Sequence, residues 1–165
     1  MPAYQSSFTL VHAPAFEGML FDSRPKHIFG LINGEAGEVA YGRVVCKSSS
    51  ANDTFVLPAD ALSVAGILVH EQDHIGTTTG LPAGELGNVV SEGIVWMRVE
   101  DAATVDDPVY VRISGGSGAG TVRASDAGAA AFPLAAARFM RSAGAGALVP
   151  VAINLSGPAV AVVAS

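Results

Sequence analysis

Glycine and proline recur along this whole chain and cut it into short runs rich in Val, Ile, Thr and aromatic residues, so no long amphipathic helix fits. Against Ala, a helix interior loses about 1 kcal/mol for each Gly and about 3 kcal/mol for each Pro, and the sequence spreads 19 Gly and 9 Pro over 165 residues. Turns between strands require these same residues, which makes the punctuation natural in a β protein. Strands are expected at 39–46, 64–70, 89–99, 109–113, 137–141, 148–155 and 160–163, with helix confined to single turns near 58–62 and 100–104. The expected class is mainly β, a single-domain β-barrel-like or sandwich fold. Its parts are an extended N-terminal arm over residues 1–38, where no period is evident, and a β-rich barrel-like domain over residues 39–165.

Within these runs the alternation of side chains indicates burial. Val109, Val111 and Ile113 share one face of a strand and leave Tyr110 and Arg112 on the other, as in a half-buried strand. Val95, Met97 and Val99 oppose Ile94, Trp96 and Arg98, so both faces of that strand are expected to be covered. Asp106-Asp107 before Pro108 is expected as a turn, and the stretch 115–120 as an exposed hairpin loop.

Composition narrows the partners. Half of the residues are apolar and 15% are charged, which leaves too few charges to cover the surface and points to apolar area hidden by partners. The net charge of −6, with no cluster of Lys or Arg, argues against nucleic acid, whose phosphates demand concentrated positive charge. Residues 1–107 hold 14 acidic and 5 basic side chains, whereas residues 108–165 hold one Asp and four Arg, an asymmetry that favours association between unlike surfaces. Cys46 is the only cysteine and the first residues lack a basic start with an apolar core, so synthesis and folding in a reducing cytoplasm are expected. The triplets Asn52-Asp53-Thr54 and Asn154-Leu155-Ser156 therefore carry no weight as glycosylation sites. Residues 142–165 carry no charge, but Gly144, Gly146, Pro150, Gly157 and Pro158 break them into pieces too short to span a membrane as a helix. They are expected as buried strands and as part of a subunit interface.

His70-Glu71-Gln72-Asp73-His74 matches the pattern that, on a helix, places two imidazoles on one face to hold zinc beside a Glu that polarises water. The run 64–69 before it and the Thr- and Gly-rich 75–80 after it favour a strand and a loop. On a strand the two His would lie about 13 Å apart, too far for one metal. A third ligand is also lacking at the expected spacing, where Gly80 stands, and the candidate Glu92 lies in an expected strand. Exposed His70, Asp73 and His74 at a strand end are the expectation. The 115–120 stretch has no Lys-Ser/Thr ending for a phosphate loop, and Ser117 lacks the flanking glycine spacing of a nucleophile elbow. His12 and His27 show no ligand spacing.

The ordered strings Tyr41-Gly42-Arg43-Val44-Val45, Ala65-Gly66-Ile67, Glu92-Gly93-Ile94-Val95-Trp96 and Asp107-Pro108-Val109-Tyr110-Val111 resemble the structural cement, or capsid decoration, proteins of tailed bacteriophage heads. Ala13-Pro14-Ala15-Phe16-Glu17-Gly18-Met19 and Ala137-Arg138-Phe139-Met140-Arg141-Ser142-Ala143 extend the similarity over nearly the whole chain. The resemblance implies a β-barrel-like homotrimer on the outer capsid surface that bridges major capsid protein subunits and stabilises the expanded shell. It implies no catalytic residues, and from the charge, hydropathy and motif readings above no cofactor, metal, nucleic acid or membrane is expected as a partner. Two readings from other classes stay open: a zinc-dependent metallopeptidase using His70, Glu71 and His74 with Glu92, and a trimeric tail or host-adhesion module, whose mark would be exposed aromatics clustered in loops.

Overall fold

The computed structural model describes residues 15–22, 24–59, 63–70, 79–113, 118–126 and 130–155, and their regular structure is overwhelmingly strand. Eleven strands are found there: β1 His27–Asn33, β2 Val39–Ala40, β3 Val44–Lys47, β4 Thr54–Val56, β5 Val64–Val69, β6 Gly80–Leu81, β7 Leu86–Arg98, β8 Pro108–Arg112, β9 Val122–Arg123, β10 Ala131–Phe139 and β11 Leu148–Asn154. β2 and β6 form a small separate pair, and the other nine make one sheet.

That sheet closes on itself twice. The neighbours β1, β4, β3, β5 and β7 form a ring because β1 pairs with β7 as well as with β4. From β7 the sheet continues through β11, β10 and β8 to β9. A parallel bridge between Val99 and Val122, with the Glu100 N–H donating to the Val122 carbonyl at 3.0 Å, returns β9 to the end of β7. The 13 residues of β7 serve both rings, with β1 and β5 paired along its first half and β11 along Glu92–Arg98. Closure removes most of the sheet edges that would otherwise template aggregation.

Each ring has its own core. Leu31, Val45, Phe55, Leu68, Leu81 and Val89 pack in the first, while Val95, Met97, Val111, Phe139, Val149 and Val151 pack in the second. The second core also takes Val44, Ile67, Val69 and Val90, which project from the outer faces of β3, β5 and β7. Strands covered on both faces explain the unbroken runs Val44-Val45, Ile67-Leu68-Val69 and Val89-Val90, where a half-buried strand would alternate. Full burial of one such side chain contributes about 1.5–3 kcal/mol. Gly66 sits where β5 crosses closest to β7: at φ +157° any Cβ would run into the Val90 carbonyl. The β3–β5 register shifts beside it, between Val45 and Cys46.

The two-faced burial expected for 94–99 and the half-buried face of 109–113 are both found, with Val95, Met97, Val99 and Val111 fully buried. Several boundaries differ. Expected strand 39–46 divides at Tyr41-Gly42, where Gly42 takes φ +76° and turns the chain from β2 into β3. β10 begins at Ala131, six residues before the expected start, because the Ala-rich 134–137 segment bulges between ladder pairs Pro133–Tyr110 and Arg138–Pro108. Residues 100–104 form no helical turn; Ala103, buried against the second core, exchanges two 2.9 Å backbone hydrogen bonds with Ala143. Within the segment read as an arm, His27–Asn33 is a full strand of the first ring, and Leu20 bridges Val95 on β7. The end of the Gly-rich loop is not exposed, since Gly120 is buried and its carbonyl accepts the Val44 N–H at 2.9 Å. Within the uncharged stretch β11 lies between β7 and β10 and buries Val149, Pro150, Val151 and Ile153, whereas Ser142, residues 144–146 and Asn154 are exposed. Residues 1–14, most of the turn near 58–62 and strand 160–163 lie outside the described residues.

Candidate interaction surfaces

His70 follows β5 directly, and its ring lies between two aromatic rings, with Phe16 edge-on at 5.2 Å and Tyr41 at 4.7 Å between centroids. Its backbone N–H donates to the Gly18 carbonyl at 3.0 Å. The side chain is thus half-buried packing for the N-terminal segment, in place of the exposed position expected. Glu71 to Thr78, including Asp73 and His74, lie outside the described residues. Glu92 lies opposite His27 and Asn154 on β7. Since Val69 is level with Asn88, Glu92 stands about 16 Å further along the sheet than His70 at the usual rise per residue. No group of three His, Cys, Asp or Glu suited to a metal occurs among the described residues.

The segment 15–22 is fastened at both ends. Gly18 donates to the Trp96 carbonyl, Trp96 to that of Met19 and Phe21 to that of Ile94, all at 2.8–2.9 Å. At one end Phe16 packs on His70; at the other Phe21 and Trp96 lie 5.5 Å apart under the Arg141 guanidinium, which stands 5.2 Å from the Trp96 ring. Gly18 and Gly42 approach so closely that a Cβ on either would meet the other's backbone N within 3 Å. Arg98 joins the same region, pairing with Glu17 at 3.3 Å and donating to the Gly146 carbonyl at 2.7 Å. Four of the strings singled out in the sequence, 13–19, 41–45, 92–96 and 137–143, therefore meet here, as a docking contact within the chain.

The principal charge cluster also serves the fold. Glu100 pairs with Arg112 at 3.0 Å and Arg123 at 3.2 Å and accepts the Thr121 hydroxyl; Asp101 accepts the Ala124 N–H at 2.7 Å and the Ser125 hydroxyl at 2.6 Å. Partial burial pushes the Glu100 carboxyl up, but Thr121, Arg112 and Arg123 outweigh it and hold it below its ordinary value. Burial likewise raises Asp101, and Ser125, Ala124 and Arg123 bring it below the ordinary value. Burial lowers Arg43, and the neighbouring Arg98 and Arg112 add to this against the raising influence of Glu17 and Glu100. These bonds tie the β8–β9 corner to the end of β7. The sequence signal for them was faint: Arg112 on the polar face of a half-buried strand.

Among the described residues the exposed large apolar side chains are Phe16, Val105 and a pair on the first ring. Ile32 and Leu86, directly opposite each other on β1 and β7, are 39% and 62% exposed. Beside them a cleft is lined by Phe29, Gly30 and Leu31 of β1 and by Lys47, Ser48 and residues 51–54 of the β3–β4 hairpin, with Lys47 over the Phe29 ring. Nothing in the sequence marked it, since β1 itself showed no period. Trp96, by contrast, is buried in its strand.

No curated protein sequence matches the chain. Among solved structures, a chain from the capsid of Myoviridae phage XM1 superposes with a TM-score of 0.68 at 21% identity, covering 94% of this chain and 99% of that one. A chain from the head fiber gp8.5 N base of bacteriophage phi29 gives a TM-score of 0.43 at 16% identity, covering 79% and 95%. The family model described as Structural cement protein (E217 gp24/Pam3 gp6) matches residues 4–154. That span runs from ahead of the docked N-terminal segment to the last residue of β11 and takes in both rings, so the chain belongs to the phage structural cement protein family.

Proposed function

We propose that this protein is a non-enzymatic component of the virion that binds the outer surface of the expanded capsid as a homotrimer and bridges neighbouring major capsid protein subunits. The observation that carries the reading is the family match across the whole folded unit. It agrees with a structure in which His70, Glu100, Asp101, Arg112 and Arg123 are engaged in packing and internal ion pairs. The low content of Lys and Arg supports protein partners over nucleic acid. The protein is made in the host cytoplasm and joins the head there.

The mechanism is thermodynamic linkage. A ligand that binds the expanded shell and not its dissociated parts stabilises that state, by about 2.7 kcal/mol per site when present at 100 times its dissociation constant. A trimer gripping several capsid subunits turns its second and third contacts into intramolecular events, so modest contacts sum to a durable clamp. Purified protein is expected to co-sediment with expanded heads and to raise their disruption temperature. A monomer by light scattering that stays in the supernatant would overturn the proposal.

A further inference from the structure

The first ring is closed along only part of β1. Pairing with β4 involves Ile32 and Asn33 alone, whereas pairing with β7 runs from His27 to Ile32. In an antiparallel ladder the backbone groups of successive residues point to alternate sides. Asn33 donates to the Glu85 carbonyl on the β7 side and Ile32 donates to the Asp53 carbonyl on the β4 side. The N–H and C=O of Gly30 and Ile28 therefore point to the β4 side, where β4 has ended. There the chain of the β3–β4 hairpin veers away from β1, and the cleft lined by Phe29, Gly30, Leu31, Lys47 and Asp53 opens. Gly30 is exposed. Asp53 marks the divergence, held at φ +58°, a region few non-glycine residues adopt.

We infer that this edge of β1 takes an extended segment of the major capsid subunit by strand addition, an inference that rests on the capsid-binding reading above. The edge offers two donors and two acceptors in the spacing of a strand, which only an extended backbone satisfies together. The exposed Ile32 and Leu86 flank it as apolar seats for alternate side chains. Charge favours a foreign strand that carries an acid. The lining holds Lys47 against Asp53, without the acidic excess of residues 1–107, and the exposed Lys26 just before β1 adds a positive charge at the end of the edge.

The test uses full-length protein with purified expanded heads. In Gly30→Pro the N–H that faces the cleft is removed while the β7 ladder is spared, because Gly30 contributes nothing to that ladder. Gly30→Ala keeps the N–H and brings its Cβ only against the flexible end of Leu86, at 3.1 Å. The proline variant is expected to bind heads at least tenfold more weakly, and the alanine variant within twofold of wild type. In wild type, hydrogen exchange at Ile28 and Gly30 is expected to be fast when free and slowed at least tenfold on heads, a readout independent of how the proline variant folds. Unchanged exchange on heads, or wild-type binding by Gly30→Pro, overturns the inference and leaves the capsid reading standing. Protection already present in the free protein also overturns it: if independent of dilution, the chain fills its own edge, and if lost on dilution, a second copy does. Wild type that fails to bind heads at all sinks the capsid reading and the inference together.

Discussion

Asn33 is the polar side chain on which the first ring most depends, and replacing it with Leu isolates that dependence at nearly constant volume. It is 2% exposed, and its Nδ2 donates to the carbonyls of Gly37 at 3.0 Å, Leu81 at 2.9 Å and Pro82 at 3.1 Å, while its Oδ1 accepts the Glu35 N–H at 2.9 Å. One residue thereby holds the end of β1 to the 34–37 turn and to β6. Leucine fills the space and makes none of these bonds. A buried group left without a partner costs about 1–3 kcal/mol. The Leu81 carbonyl is enclosed, whereas the other three groups are nearer solvent and water replaces part of their bonding. A net loss of about 3 kcal/mol follows, or roughly 6–12 °C in melting temperature for a chain of this size. Urea and thermal unfolding followed by circular dichroism measure it. Asn33→Asp supplies an internal check: the acceptor for Glu35 is kept, but an ionised carboxylate then faces three carbonyl oxygens. Its deficit should grow as pH rises from 4 to 7. Melting of Asn33→Leu within 2 °C of wild type would refute the reasoning and mean that water satisfies every orphaned group.

Phe55 and Phe139 are fully buried, one in each core, and replacing either by Ala should cost about 3–5 kcal/mol. Because β7 belongs to both rings, each variant should still unfold in one transition seen alike by far-ultraviolet circular dichroism and Trp96 fluorescence; two separated transitions would show that the rings fold independently. Glu100 and Asp101 are held below ordinary values of 4.5 and 3.8, so the unfolded chain binds more protons in that region. Their contribution is complete above those values and is lost as pH falls through the lower folded ones. A Glu100→Gln, Asp101→Asn double variant should therefore show a flatter decline in urea midpoint below about pH 4.5, and an unchanged slope would contradict the ion-pair assignment.

The amount of this fold that could be read in the sequence follows from where its pairing energy lies. β5, β7, β8 and β11 are dense in β-branched residues and bury at least one face, so periodicity exposed them. β2, β4, β6 and β9 are two or three residues long, held by neighbours and single buried anchors such as Phe55, Leu81 and Val122, and a window of residues carries no period that short. β1 buries only Leu31 and Asn33, at its C-terminal end, and leaves His27, Gly30 and Ile32 exposed, because part of it faces the cleft; the incomplete edge blurred its signal. The resemblance strings were informative for a physical reason: Gly18, Tyr41, Gly42, Trp96 and Arg141 converge on one contact between the N-terminal segment and the rings. Of the zinc-like string only His70 lies among the described residues, and its ring serves that same contact.

Two rings joined through one strand have a consequence for where such a protein can bind. Opening either ring along β7 would strip a ladder from a strand that both cores bury, so the shared strand resists local opening more than either ring alone would. Added contacts are then best placed where backbone bonding capacity is already unmet. Among the described residues that condition is satisfied at the β4-facing edge of Ile28 and Gly30. A strand accepted there would complete the first ring and stiffen it against the same hairpin, whose residues 51 and 52 line the cleft beside β1. Binding and folding stability would be coupled at that edge. The urea midpoint of the bound protein should exceed that of the free protein by more in wild type than in Gly30→Pro, and equal gains in the two would place the capsid contact elsewhere on the surface.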